Sequence, residues 1–383
     1  MEIRVPLFDL DYDEREEEAV LAVLRSKWLT MGDRTAEFEE RFAASAGSPH
    51  AVAVANCTAA LHLAVRVLGI GPGDEVIVPD LTFVATANCV LYEGAVPVLA
   101  DVVGFNDLTL DPAEVRRKIT PRTKAVIVMH YAGFPCRMDE VTGIAREHGL
   151  AVIEDCAHAP GGTFGKRALG TIGDVGCFSF FSNKNLSTGE GGMLTCADPD
   201  VAGRLRLLRS HCMTAQTLDR HKGHAWGYDV VDVGYNYRLT EIEAALGIVQ
   251  LAKLPEANAA RRRWVERYRD RLAEIPGVVV PFAGFEAGEM PQRGKSAYHL
   301  MEILLPEGAS QQTVAEKLAE RGVQTSVHYR PLHTFSSPKL ANAPAEGLEK
   351  LDAIAPRLLT LPLYPTMGEE RVDYVCEALA EAV

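Results

Sequence analysis

Lys184 closes the segment Gly176-Cys-Phe-Ser-Phe-Phe-Ser-Asn-Lys184, an apolar run followed by Gly189, Gly191 and Gly192. Most lysines are solvated surface charges. In a buried, glycine-rich surround a lysine loses proton affinity and becomes a usable amine nucleophile. Asp155 ends the run Ala151-Val-Ile-Glu-Asp155. A carboxylate there can cap a helix, bind a metal or pair with a cationic ring nitrogen, and the residue alone does not choose. His158, three positions on, reaches the same place if a tight turn follows. In Asn56-Cys-Thr58-Ala-Ala-Leu61 a strand gives way to a helix at Thr58. Free N–H groups and the helix dipole suit a phosphate there, and an ordinary threonine cap fits equally well.

Taken together these are the parts of a pyridoxal-phosphate (PLP) site: a lysine for an imine, an acid for a pyridinium nitrogen, and a helix N-terminus for a phosphate. Competing cofactor patterns are missing. There is no G-x-G-x-x-G; Gly69-Ile-Gly71-Pro-Gly73 is a turn before a strand and opens no helix. There is no Walker A pattern and no metal-ligand spacing. His211, His221 and His224 form a loose polar cluster that reads as a loop rather than a metal site.

These residues need a scaffold. Residues 12–26 read as an acidic-to-apolar helix. Apolar strands follow at Ala51–Val54, Glu75–Val78, Val96–Ala100, Ala125–Met129, Ala151–Ile153, Val175–Phe180 and Gly192–Cys196. Helices are expected between them at Thr58–Leu68, Thr82–Tyr92, Pro112–Ile119 and Arg137–His148. Strands that are apolar throughout and alternate with helices predict an α/β fold with a mostly parallel, seven-stranded sheet covered on both faces. Ligands bind such sheets beyond the carboxyl ends of the strands, where Asp155 and Lys184 fall. After about Gln250 the pattern changes. A charged helix at Ala257–Leu272 leads to a strand at Tyr298–Leu305, a helix at Ser310–Arg321, a strand at Val323–Val327 and two more helices, with Pro281–Gly294 as a loop. The chain therefore divides into a large ligand-binding domain over 1–250, with a helical N-terminal segment, and a smaller α+β domain over 251–383.

Bulk properties narrow the function classes. A chain of 383 residues, 47% hydrophobic, is long enough for two domains. With 39 Lys+Arg against 52 Asp+Glu the net charge is −13, which disfavours nucleic acid and anionic membrane as partners. The eight cysteines form no C-x-x-C pair and read as buried, reduced thiols of a cytoplasmic protein. The N-terminus does not resemble a signal peptide, and no apolar run is long enough to span a bilayer.

The order of several motifs then resembles one family, the DegT/StrS sugar aminotransferases of the aspartate-aminotransferase fold type (PLP-dependent transferase fold type I). Trp28-Leu-Thr-Met-Gly32, Thr58-Ala-Ala-Leu-His62, Thr82-Phe-Val-Ala-Thr-Ala-Asn88, Glu154-Asp-Cys-Ala-His158, Phe178-Ser-Phe-Phe-Ser-Asn-Lys-Asn185, Gly234-Tyr-Asn-Tyr-Arg-Leu-Thr-Glu241 and His328-Tyr-Arg-Pro-Leu-His333 each look like a family motif, nearly end to end. The resemblance implies that Lys184 is the Schiff-base lysine, that Asp155 pairs with the pyridinium nitrogen and that His158 contacts the ring hydroxyl. It implies that Phe83 stacks on the ring and that Thr58, Ala59 and Ser179 bind the phosphate. Asn236 would reach the phosphate of the neighbouring subunit, which implies a homodimer with shared active sites. Glu190, Arg238, His328 and Tyr329 are candidate substrate contacts, and Arg330 is a further cationic anchor.

The activity implied is transfer of an amino group from an amino acid, L-glutamate by analogy, to a nucleotide-linked keto sugar. Trp28-Leu-Thr-Met-Gly32 and His130-Tyr-Ala-Gly133 resemble the four-amino branch of the family, which implies a ketone at carbon four rather than carbon three. A keto-inositol aminotransferase or an aminobenzoate-forming relative is the alternative among enzymes. Related sugar dehydratases carry histidine in place of the imine lysine, and Lys184 is present. From another class, a non-catalytic PLP-binding regulator would need a DNA-binding segment, and neither a helix-turn-helix nor a basic tract is found.

Overall fold

The computed structural model describes residues 3–215, 227–286, 288–290, 294–341 and 343–383. Seven strands build the main sheet: β1 (His50–Val54), β2 (Glu75–Pro79), β3 (Val96–Ala100), β4 (Thr123–Met129), β5 (Ala151–Asp155), β6 (Val175–Ser179) and β7 (Gly192–Cys196). Their order is β1-β7-β6-β5-β4-β2-β3. Only β7 runs antiparallel to its neighbours; the other pairings are parallel. This is the mostly parallel sheet that the apolar runs predict. Alternation along each strand feeds two cores. Val76 and Val78 join one apolar cluster, with helices α3 (Cys57–Val67) and α4 (Ala85–Tyr92), while Ile77 joins another on the opposite face. Burial on both faces is why the strands are hydrophobic at consecutive positions.

The N-terminal helices α1 (Glu14–Ser26) and α2 (Asp33–Ala46) pack on α8 (Glu241–Leu272), named after α5 (Pro112–Lys118), α6 (Met138–His148) and α7 (Pro199–Leu208). Gly32 precedes α2 and offers no capping side chain. A Cβ there would lie 2.6 Å from Trp28 Nε1, so the position is restricted to glycine. Glu241 supplies the missing cap from α8: its carboxylate accepts N–H bonds from Gly32, Arg34 and Thr35 at 2.8–2.9 Å and the Thr35 hydroxyl at 2.7 Å.

Beyond the sheet, β8 (Met301–Leu304) and β9 (Leu358–Leu361) pair antiparallel. The second half of α8, through Val265, Tyr268 and Leu272, packs on them in a cluster that also takes in Val5, Leu81, Met129 and Tyr131. The C-terminal layer thus rests directly on the carboxyl end of the sheet.

Several expected boundaries move. α8 starts at Glu241, not Ala257, because a Thr240–Glu243 capping box opens it and the helix accommodates Pro255. Residue 250 therefore lies inside a helix. α4 begins at Ala85, so Thr82 and Phe83 lie ahead of it; the Thr82 hydroxyl bonds that of Thr86 at 2.7 Å. Val323–Val327 forms no ladder and makes isolated bridges to Val5 and Thr360. His221 and His224 lie outside the described residues, and His211 is exposed. All eight cysteines are buried and unpaired. Among the described residues no helix is long and apolar enough to cross a membrane.

Candidate active site

A cavity of about 420 Å³ opens beyond the carboxyl ends of β4, β5 and β6. Thr58, Phe83, Asp155, Ser179, Lys184, Glu190, His328 and Tyr329 all line it, so eight residues singled out from distant segments converge on one place. Ala59 and His158 stand directly behind the wall.

Asp155 is the last residue of β5 and is 2% exposed. Its Oδ2 accepts the Thr86 hydroxyl at 2.8 Å and its Oδ1 the Ala157 amide at 3.1 Å. Burial pushes its pKa up, and those two donors and the Lys184 charge oppose the rise without cancelling it. No cationic side chain pairs with it among the described residues, so this buried carboxylate faces the cavity short of a counter-ion. Lys184 lies on the same cavity, in the turn after β6. Its amine is pushed down to about 8 by burial, with Asp155 and Cys57 pulling the other way. A depressed amine of this kind is an effective nucleophile near neutral pH.

At the helix end, Asn56 rather than Thr58 is the cap of α3; its Oδ1 accepts the Ala59 amide at 2.8 Å. The first-turn N–H groups of Cys57 and Thr58 have no intrahelical acceptor, as at any helix start. Gly192 allows the close approach of β7 to this turn: a Cβ there would lie 2.6 Å from the Asn56 carbonyl carbon. Ser179, at the end of β6, is buried beside it. This corner suits an anion. Phe83 stands in the cavity wall 52% exposed, its ring 5.8 Å from that of Tyr329, an apolar face open to a planar partner. Together the features fit a phosphorylated aromatic ligand with a cationic nitrogen and a carbon reactive toward amines.

The opposite wall comes from the C-terminal layer. His158 is fully buried; its Nδ1 accepts the Ala132 amide at 3.3 Å and its Nε2 meets the Tyr329 hydroxyl at 2.8 Å. Burial, then the Lys184 charge, drives its pKa well below the ordinary value, so it is neutral. His328 bonds Thr360 through Nδ1 at 2.8 Å and is pushed down to about 4 by burial and Lys184. Glu190 is raised by burial and by Glu243.

Three residues stand apart. Asn236 is exposed and bridges to Ser210, and Arg238 donates to the Ser210 hydroxyl at 3.2 Å; neither lines the cavity. Arg330 is exposed and turned toward Thr334 at 2.8 Å. Conversely, sequence reasoning passed over Thr86, Asn185, His299 and Glu302. Thr86 and Asn185 sat inside quoted motifs. His299 and Glu302 had no signal beyond being polar residues in the apolar run expected as a strand at Tyr298–Leu305, of which only Met301–Leu304 forms one.

His130, Glu154 and Cys156 also come together, fully buried. Hydrogen bonds account for the first two. Glu154 accepts amides of Gly170, Ile172 and Gly173 and the His130 Nε2–H, whose other nitrogen accepts the Cys136 amide.

Comparison with known proteins agrees with this chemistry. The model of the DegT/DnrJ/EryC1/StrS aminotransferase family matches residues 10–380. The spore coat polysaccharide biosynthesis protein SpsC of Bacillus subtilis is 39% identical, covering 97% of this chain and 95% of its own. The GDP-perosamine synthase of Caulobacter vibrioides is 38% identical, covering 97% and 96%. Among solved structures, Spr1654 of Streptococcus pneumoniae, described as a sugar aminotransferase, superposes in its PLP form with a TM-score of 0.89 at 30% identity, covering 100% of this chain and 98% of that one.

Proposed function

The chain belongs to the DegT/DnrJ/EryC1/StrS aminotransferase family of PLP-dependent enzymes, and from that premise we propose that it moves an amino group from L-glutamate to a nucleotide-linked keto sugar, with the ketone at carbon four. The observation that carries the reading is the pairing, across one cavity, of a depressed lysine amine with a buried carboxylate short of a counter-ion. When bound, PLP supplies the electron sink for a transamination.

The protein's own residues do the rest. Asp155 holds a positive charge at the ring nitrogen and so meets its own electrostatic need. Lys184 would hold the cofactor through its amine and, when that amine is free, would move a proton at the donor α-carbon. Phe83 would cover the ring face, and His158 would contact the ring hydroxyl if its Nε2 exchanged the Tyr329 hydroxyl for it. Thr58, Ala59 and Ser179 hold the phosphate; the Ala59 amide would share its hydrogen with Asn56. Asn236 serves the phosphate of a second subunit, which is consistent with its position on an exposed edge away from its own cavity. Glu190, His328 and Tyr329 meet the substrate; Arg238 does not line its own cavity and could contribute only, like Asn236, at the site of a second subunit. The reading includes a cytoplasmic homodimer without nucleic-acid or membrane partners, in which the large domain binds the cofactor and the smaller C-terminal domain, whose boundary falls within α8, adds His328 and Tyr329 to the cavity wall.

The name of the GDP-perosamine synthase supports a nucleotide-linked acceptor. The choice of carbon four and of glutamate rests on the motif resemblance. Family membership replaces the regulator reading with that of an enzyme. The test is to incubate the enzyme with glutamate and a panel of nucleotide-linked 4-keto and 3-keto sugars and a keto-inositol, following 2-oxoglutarate. Turnover with 4-keto sugars is expected. Turnover confined to the keto-inositol rejects the sugar reading; turnover confined to 3-keto sugars rejects only the choice of carbon. Borohydride should fix the cofactor on Lys184, and a label on any other lysine overturns its role.

A further inference from the structure

Asn185 follows Lys184 in sequence and is buried. Its Nδ2 donates to the Ala297 carbonyl at 2.6 Å and to Asn258 Oδ1 at 2.8 Å. A backbone carbonyl can only accept, so the amide orientation is fixed. Asn185 Oδ1 is then the acceptor that lies 2.8 Å from His299 Nδ1, and that nitrogen must carry the hydrogen. A neutral imidazole has one N–H, which leaves a lone pair on Nε2. That lone pair lies 3.5 Å from Lys184 Nζ.

His299 is 4% exposed, and its ring lies 4.3 Å from that of His158. Burial, with His158, Lys184 and Arg261 adding to it, holds its proton affinity well below the ordinary value. The imidazole therefore stays neutral and keeps its lone pair. The adjacent His158 has the opposite tautomer: its Nδ1 accepts the Ala132 amide, so its hydrogen is on Nε2 and points at Tyr329. Of these two rings, tilted 41° to each other, only His299 can receive an N–H from the lysine.

We propose that His299 is a positioning residue for the free amine of Lys184: its Nε2 accepts a hydrogen bond from Nζ and holds the amine toward the cavity whenever Lys184 is not bonded to the cofactor, and Asn185 selects the tautomer that allows this. The inference rests on the reading that Lys184 carries the cofactor. No proton changes hands; the imidazole orients the amine, and Lys184 remains the proton carrier.

The experiment has two parts. The first is ¹⁵N NMR of histidine-labelled holoenzyme, with His299 assigned by its loss in H299Q. A protonated Nδ1 and an unprotonated Nε2 are expected across the neutral range; the reverse tautomer, or an imidazolium, overturns the proposal. This measurement needs only the wild-type fold. The second uses holoenzyme charged with pyridoxamine phosphate, in which Lys184 is free. Its labelling by an amine-reactive anhydride is followed against pH by mass spectrometry. Loss of the acceptor in H299F should lower the apparent pKa of Lys184 by about one unit, as for a hydrogen bond to a charged group, and H299Q should restore part of it. The other titratable and charged groups facing the pair are Asp155, Cys57, His158, His328 and Arg261, all unchanged in these variants. An unchanged curve in folded H299F overturns the proposal. Borohydride capture at Lys184 tests the underlying assignment separately, because it does not depend on the His299 tautomer.

Discussion

Glu154 and Asp155 are neighbours on β5, and strand alternation sends them to opposite faces of the sheet. Both are buried, so each carries a similar desolvation penalty. Glu154 faces a loop and receives four donors, the amides of Gly170, Ile172 and Gly173 and the imidazole of His130. Burial pushes its pKa up, yet His130 and the amides outweigh it and the net shift is downward. Asp155 faces the cavity with two donors, and burial wins. One face of the strand consumes its carboxylate in holding the fold; the other leaves a carboxylate short of partners where a ligand can supply what is missing.

If that division is right, the two acids should fail in different ways. Asp155→Asn keeps the fold but should lose roughly a hundredfold or more in turnover, because a neutral amide no longer favours a cationic ring nitrogen. Near-normal turnover in a steady-state assay would erase the contrast. Glu154→Gln should do the opposite: a stability loss of about 2–4 kcal/mol in denaturant titration, with turnover per folded molecule close to wild type.

Glu302 extends the comparison to the C-terminal layer. It accepts the Thr360 hydroxyl at Oε1, the Tyr131 hydroxyl is also close by, and Oε2 is left without a hydrogen-bond partner. Burial raises its pKa from 4.5 to about 8. A carboxyl whose folded pKa is raised binds its proton more tightly when folded. Its contribution is therefore full below the unfolded value and fades as pH climbs through the folded one. Stability should fall by up to about 1 kcal/mol per pH unit across that window, and Glu302→Gln should flatten the fall. A parallel pH profile in the variant would show Glu302 to be ionised and held like Glu154. The smallest effect belongs to the apolar wall. Phe83→Leu should weaken cofactor binding by about 1 kcal/mol, roughly fivefold, in an absorbance titration, while Asp155→Asn changes chemistry more than affinity.

The sheet-borne half of this site was legible because its signals are local. An apolar run marks a strand, and Asp155 and Ser179 end such runs, while Lys184 follows one by a few residues. The cap that stood as one alternative at Thr58 falls instead at Asn56, two residues earlier, since both types are competent caps and only the backbone decides. The other half is assembled at long range. Thr86 reaches Asp155 from 69 positions away, and His299 reaches Asn185 from 114. No periodicity encodes such pairings. Pro255 hid the first half of α8 by reading as a helix end, where capping at Thr240 and packing against α1 and α2 sustain the helix. Asn236 and Arg238 carried a family motif whose place is away from their own cavity, which no property of the segment itself reveals.

The eight buried cysteines have a practical consequence. Burial raises the pKa of every one of them, so little thiolate exists in the native state and thiol reagents react slowly. Apart from Cys57, which lines the cavity, fast reaction must wait for the chain to open. Seven of the eight sit in or beside the sheet domain, while Cys376 lies in the C-terminal helix Glu369–Ala382. Mass-resolved thiol labelling therefore works as an unmodified clock: the rate at each cysteine other than Cys57 times the opening of its own neighbourhood, and a faster Cys376 would reveal that the C-terminal layer lifts before the sheet gives way.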